Sequence, residues 1–184
     1  MERHLTVSGF VVHEGRVALH WHRKLGAWLP AGGHVELGED PVQAVLREVR
    51  EEFAIEAEVM RLASRVEYAG GPGQLEPPHA VLDCWPEPEH GHVDLVYFLH
   101  LADGYPGRSH DPANPVVWLD APALAAGAAP QNGALVPFPP DVQALGLEAI
   151  RHAAKAARPS RASGRAVSPV EAAGFNPQAT LSAR

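Results

Sequence analysis

Three carboxylates, Glu48, Glu51 and Glu52, recur at spacings of three and four residues, with Arg47 directly before them. On a helix, which advances 100° per residue, these spacings gather all three on one face, within an arc of about 100°. Val42, Val45, Leu46, Val49 and Phe53 fall beside that arc as an apolar stripe. Such a helix can dock one side on a sheet and aim its carboxylates into a cleft. Like charges at these spacings repel by about 0.2–0.5 kcal/mol per pair, so an isolated helix gains nothing from them. A hard divalent cation reverses the sign, because Mg²⁺ prefers carboxylate and phosphate oxygens. A solvated acidic face is the bland explanation for three glutamates alone. What precedes them decides against it.

From Gly33 the chain reads glycine, five residues, Glu39, seven residues, then Arg47-Glu48-Val49-Arg50-Glu51-Glu52-Phe53-Ala54-Ile55. This resembles the Nudix box, G-x5-E-x7-R-E-U-x-E-E-x-G-U with U a bulky aliphatic. Both U positions match, and so do all strongly typed positions but one. Ala54 stands where the family has glycine, and alanine in a left-handed conformation costs roughly 1 kcal/mol. That departure concerns stability and removes no ligand. Upstream, Trp28-Leu29-Pro30-Ala31-Gly32-Gly33-His34-Val35-Glu36 is similar to the family's W-x-x-P-G-G-x-x-E approach to the box, with Ala31 in place of its proline. The resemblance covers about residues 5–157.

The resemblance implies a pyrophosphohydrolase that cleaves a diphosphate linkage in a nucleoside diphosphate joined to another group. Mg²⁺ is the implied cofactor, with Mn²⁺ as substitute. Glu48, Glu51 and Glu52 would hold the metal, with Gly33 beside it. Arg47 would fix their rotamers, and Glu39 would support the loop–helix junction. A further acid from outside the box is expected at Asp111, with Asp94, Glu67 and Glu76 as rivals. Arg23 and Lys24, just before the box, are candidates to meet phosphate, with a solvated hairpin edge as the alternative. Phe138-Pro139-Pro140-Asp141 is similar to a turn that reads the base edge in members acting on oxidised guanine nucleotides, which implicates Asp141 unless it merely caps a helix. Trp28 or Tyr105 would stack on the base. Two other readings stay open: a catalytically silent ligand-sensing module, and an isopentenyl-diphosphate isomerase-like enzyme. The second needs a reactive cysteine and a particular histidine set. His20, His22, His90, His92, His100 and His110 hint at metal, but scattered surface histidines are the expectation.

The elements that must position these residues follow from pattern. Alternation over residues 5–12 and 16–21, separated by Glu14-Gly15, predicts a hairpin. A glycine-rich loop is expected over 31–38. Asp40-Pro41 reads as an N-cap followed by proline at the first helical position, starting a helix to Phe53 or Ala54. Strands are expected over 55–62, 80–85, 93–101 and 116–119, with a short helical piece from Asp120 and a final helix to about Ala157. The predicted fold class is α/β, a Nudix-like α/β/α sandwich with a mixed sheet. Residues 1–157 would form the domain and 158–184 a flexible tail. Substrate choice should lie in loops 69–78, 86–91 and 102–115.

Composition narrows the partners. The formal charge of the 184 residues is −7. The four arginines and one glutamate after position 157 contribute +3, so residues 1–157 carry −10. Such an acidic body disfavours duplex nucleic acid and anionic membranes. It suits a small-molecule diphosphate, expected to be a nucleotide, whose charge a cation offsets. A single cysteine, Cys84, excludes an internal disulfide, and no signal-peptide core or long apolar run is seen. A cytoplasmic location is expected, and a homodimer stays open.

Overall fold

Alternation along the first strand sets the architecture. β1 (Glu2–His13) sends Val7 and Val11 to one face and Phe10 and Val12 to the other, and all four are buried. A strand buried on both sides needs a layer on each side. The computed structural model, which describes residues 2–62, 66, 68, 71–87, 89–102 and 116–157, supplies both layers.

β1 turns through Glu14 and Gly15, with φ of 48° and 74°, into antiparallel β2 (Arg16–His22). β3 (Ala27–Leu29) and the later β8 (Val117–Asp120) pair with β2. On the same edge of β1, further along, lies β4 (Ala31–His34), antiparallel from Thr6 opposite His34 to Gly9 opposite Ala31. The other edge of β1 takes β7 (His90–Leu101) in parallel, from Glu2 opposite His90 to Val12 opposite His100. β6 (Ala80–Glu87) and β5 (Ala57–Val59) complete the sheet, both antiparallel to β7. The result is a mixed eight-stranded sheet.

The helix α1 (Pro41–Phe53) covers one face: Val45, Val49 and Phe53 pack with Val7, Val11, Ala31, Tyr97 and Leu99. The short α2 (Ala121–Ala125) and the long α3 (Pro140–Ala156) cover the other, where Val142 and Ala149 meet Phe10, Val12, Leu19 and Phe98. Asp40 caps α1 as its spacing predicts. Its carboxylate accepts from the Val42 and Gln43 amides, and Gln43 Oε1 accepts from the Asp40 amide in return.

Three expectations change. The first four residues of the expected glycine-rich loop are strand β4. A Cβ on Gly32 would collide with the Val7 carbonyl, so the missing side chain is what lets β4 lie against β1. β7 begins at His90, three residues earlier than its apolar run. A second hairpin, β9 (Ala128–Gln131) and β10 (Ala134–Pro137), follows α2 and turns on Asn132 and Gly133, with φ of 49° and 81°. The tail from residue 158, like Glu67, Tyr105, His110 and Asp111, lies outside the described residues.

Ala54 ends α1 in the left-handed conformation, φ 53° and ψ 38°, with its amide donating to the Arg50 carbonyl. Glycine pays no Cβ penalty there. Ala54→Gly should therefore raise the unfolding free energy by about 0.5–1 kcal/mol, read from the shift in denaturant midpoint at unchanged slope. An unchanged or lowered midpoint would show that the Ala54 methyl offsets its own backbone strain.

Candidate functional site

Arg47 organises the acidic face of α1. Its guanidinium donates from Nε and Nη2 to the two oxygens of Glu39, at 3.2 and 2.8 Å. Nη1 reaches Glu48 Oε1 at 2.9 Å and Glu51 Oε2 at 3.3 Å, and Nη2 also reaches the His34 carbonyl at 3.1 Å. One side chain thus ties the helix to the end of β4 and to the loop before the cap. The surrounding carboxylates push the Arg47 pKa upward, led by the hydrogen bond to Glu39. Glu39 is held below its usual range, first by Arg47 and then by the Glu36 amide, which donates at 2.7 Å. Glu39 therefore stays ionised as a support for the junction.

The three helix carboxylates are not equivalent. Glu48 is 13% exposed and fills the space where Gly33 lacks a side chain; a Cβ there would collide with its carboxylate. Glu52 is 25% exposed and accepts the Gly32 amide at 2.9 Å, with His20 Nε2 3.7 Å away. Burial raises the Glu52 pKa to about 7, and the charges of Glu48 and Glu51 add to that against the Gly32 bond. Burial lowers His20 to about 4, and His22 adds to it, so the imidazole beside Glu52 is neutral. Glu51 is 59% exposed and leans on Arg47. The three carboxylates do not converge within 4.8 Å as a ligand group: Glu48 and Glu51 turn to Arg47, and Glu52 turns to the Gly32 amide.

These groups fit a hard divalent cation nonetheless. Glu52 is a mostly buried carboxylate whose short contacts are one amide and a neutral imidazole, so its charge is uncompensated. Glu48 is seated one helical turn away against the same Gly32–Gly33 strand. An all-oxygen donor set of this kind suits Mg²⁺ or Mn²⁺. Glu51 would join the set only on leaving Arg47.

The Gly32–Gly33 strand also forms a wall of a cavity of about 460 Å³ on the other helical side of the sheet. Phe10, Leu29, Leu82, Val96 and Val142 give it apolar surfaces, and Asp94, Asp141, His34 and His92 supply polar ones. The carboxylates of α1 therefore meet this cavity across Gly32 and Gly33 and do not line it. Asp141, expected either to read a base or to cap a helix, lines the cavity in the first turn of α3. Pro139 holds the cap position, with no side-chain hydrogen bond there. Asp94, one of the rival acids, is buried; it accepts from Thr6 Oγ1 at 2.8 Å, and burial raises its pKa. Glu76 sits 3.5 Å from Arg61, away from this cavity.

Other candidates are placed differently from expectation. Trp28 is 2% exposed and packs in the core against Trp21, 5.6 Å between ring centroids, so it offers no face to a base. β3 pairs Trp28 with Trp21 and directs it into the α3 layer, away from any base. Arg23 and Lys24 are exposed in the turn between β2 and β3, and neither lines the cavity, although the neighbouring His22 and Leu25 do. The scattered reading of the histidines is corrected for His90 and His92. They cluster with His34, which sequence reasoning overlooked because the grouping depends on strand register.

The family model for the NUDIX domain matches residues 2–137. Among solved structures, a hydrolase of the NUDIX family from Clostridium perfringens superposes with a TM-score of 0.62 at 23% identity, covering 82% of this chain and 98% of that one. A MutT NUDIX hydrolase from Burkholderia pseudomallei gives 0.55 at 21% identity, covering 80% and 98%. An ADP-ribose pyrophosphatase from Streptococcus suis gives 0.50 at 14% identity, covering 84% and 94%. No curated protein is matched.

The raised Glu52 pKa carries a stability consequence with a definite sign. In the unfolded chain the group ionises near 4.5, and in the cation-free fold near 7. Folding therefore favours the protonated form, and the stability it contributes below about pH 4.5 is lost as pH rises towards 7. The melting temperature of metal-free protein should fall across that window relative to Glu52→Gln. Added Mg²⁺ should raise the wild-type value above pH 7 and leave the variant nearly unmoved. Parallel pH profiles of the two proteins would contradict this account of Glu52.

Proposed function

The chain belongs to the NUDIX domain family, and from that premise we propose that it hydrolyses a diphosphate linkage in a nucleoside diphosphate joined to another group. The observation that carries the reading is the seating of Glu48 in the space left by Gly33 and of Glu52 on the Gly32 amide, with Arg47 holding Glu48 and Glu51. A silent binding module would have no need for a mostly buried glutamate whose charge lacks a partner. Glu48, Glu51 and Glu52 would hold Mg²⁺, with Mn²⁺ as a substitute. That ion would supply positive charge to the diphosphate and make the attacking water more acidic.

The chain's own groups do the remainder. Arg47 and Glu39 keep the helix registered against β4, so the Gly32–Gly33 backbone can approach a phosphate closely. The cavity beyond Gly33 would take the organic moiety. Phe10, Leu29 and Val142 would contact a flat base, and Asp141 would accept from its donor edge. Arg23 and Lys24, at the β2–β3 turn, would meet outlying phosphate. Asp111 is proposed as the further acid from its sequence position alone. The domain proper would be residues 1–157, with 158–184 as an appended tail. The described residues include no helix long and apolar enough to cross a membrane. An isomerase-like reading would need a reactive thiol. Cys84 does line the cavity, but burial pushes its pKa up, away from the thiolate form.

A panel of dNTPs, oxidised dGTP, ADP-ribose, NADH and dinucleoside polyphosphates should show Mg²⁺-dependent cleavage of at least one member, with isopentenyl diphosphate as the contrasting arm. On the cleaved member, Glu52→Gln should lower kcat roughly 10²-fold or more, while Asp141→Ala should raise KM much more than it lowers kcat. Full turnover by Glu52→Gln would remove that residue from the site, and an unchanged KM in Asp141→Ala would remove the base contact. Cleavage of no nucleotide would overturn the substrate class.

A further inference from the structure

Strand register gathers imidazoles that lie far apart in sequence. β4, β1 and β7 are consecutive in the sheet, with Thr6 opposite His34 on one side of β1 and His4 opposite His92 on the other. Paired residues, and residues two apart on a strand, share a face. His4, His34, His90 and His92 therefore all project from the same face of three neighbouring strands. The rings meet: His4 is 4.7 Å from His90 and 5.3 Å from His34, His34 is 5.0 Å from His92, and His90 is 4.7 Å from His92, between centroids. His90 and His92 bring their Nε2 atoms to 2.8 Å.

We infer that His34, His90 and His92 form a binding site for a divalent transition ion of the zinc class, separate from the glutamate site on α1. One ligand nitrogen from each lies within 4.8 Å of the other two, and among the described residues this is the one group of three or more potential ligands gathered so closely. A tetrahedral zinc, with Zn–N of about 2.0–2.1 Å, sets its nitrogens about 3.3 Å apart. Side-chain rotations that part the His90 and His92 Nε2 atoms by about 0.5 Å and draw in the wider gaps, all within 4.8 Å, produce that geometry from this starting point.

Donor chemistry separates the two sites. Imidazole nitrogen selects zinc, cobalt, nickel or copper, whereas the carboxylate oxygens of Glu48, Glu51 and Glu52 suit Mg²⁺ or Mn²⁺. Ring packing accounts for the centroid spacings, and a hydrogen bond accounts for the approach of the His90 and His92 nitrogens, but neither accounts for the His34 nitrogen joining them. An acidic body favours cation capture in general. His34 and His92 also line the cavity, so an ion held there borders the space where the organic moiety would sit. His34 is exposed, and His90 and His92 are half-buried, so the site is open to solvent ions.

The test uses full-length protein without an affinity tag, stripped by chelator and titrated with Zn²⁺ or Co²⁺. One ion per chain should bind, and Co²⁺ should give the intense visible absorption of a four-coordinate site with three nitrogen ligands. His92→Ala and His34→Ala should each weaken Zn²⁺ binding at least tenfold, the scale on which even outer partners of a metal site matter. His34 is at the surface, so its replacement tests the site even if His92→Ala folds poorly, and metal-free melting curves confirm folding. Glu51→Gln combined with Glu52→Gln should keep the ion, and a large excess of Mg²⁺ should not displace it. The inference is overturned if no ion binds, if His34→Ala binds as the wild type does, or if binding is lost with the glutamates instead. None of these readings depends on turnover, so the hydrolase proposal stands or falls separately.

Discussion

The five hydrogen bonds of Arg47 are the constraint on which the rest of the site depends. A helix with glutamates at three positions of one face repels itself, and the loop before it has little apolar content to fix its path. One guanidinium answers both problems, because its planar fork can address several oxygens at once where an ammonium would act as a point charge. It neutralises Glu48 and Glu51, pins Glu39, and reaches across to the carbonyl that ends β4. With the helix tied there, Glu48 can occupy the space of the missing Gly33 side chain. The spacing from Gly33 to Glu39 to Arg47 is thus a length requirement, set by the loop that must return to the helix for these contacts to close.

The second organising fact is that β1 is buried on both faces. Its odd-numbered apolar residues receive α1 and its even-numbered ones face α3 and the cavity. Position 32–33 lies where β4 meets β1, so its backbone is presented to both layers. That is why glutamates on one helix and a cavity roofed by another share two glycines as a wall. A polyphosphate with an organic group attached has two unlike ends, one needing charge neutralisation and one needing apolar contact. The sheet separates these two environments by the thickness of a single strand.

How much of this was legible in the sequence depended on whether the deciding contact was local. Asp40-Pro41, the stripe of Val45, Val49 and Phe53, and the Glu14-Gly15 turn are local signals, and the structure follows them. Glu48, Glu51 and Glu52 were legible as a shared face because helix geometry is fixed within a few residues. Their unequal burial was not, since it comes from β4 packing above the helix. Residues 31–34 read as loop because glycine is a poor strand former, while the tertiary advantage of close approach to β1 overrode propensity. Trp28 was misplaced for the same reason: its partner Trp21 sits across a hairpin whose register the sequence does not announce. The hairpin around Asn132-Gly133 did carry a strong local signal that was passed over. The grouping of His34 with His90 and His92 spans more than fifty residues of chain and rests on parallel pairing of β1 with β7, which no local pattern encodes.

Local conflict in this protein is concentrated on one element, and the energetics show why it is tolerated. α1 carries like charges at helical spacing, a mostly buried Glu52, and an alanine in a left-handed cap. The charge pairs cost about 0.2–0.5 kcal/mol each and the cap roughly 1 kcal/mol. Against this, Val45, Val49 and Phe53 are wholly buried. Each such side chain contributes about 1.5–3 kcal/mol on leaving water. The apolar side of the helix therefore wins by a margin that leaves its other side free to hold groups that disfavour one another. Exchanging those glutamates for neutral residues would relieve the helix, and it would remove the one carboxylate, Glu52, whose charge no cationic side chain offsets. Sequences that specify a fold agree with themselves at every level except where function requires otherwise, and here the disagreement lies on the residues from Glu48 to Ala54.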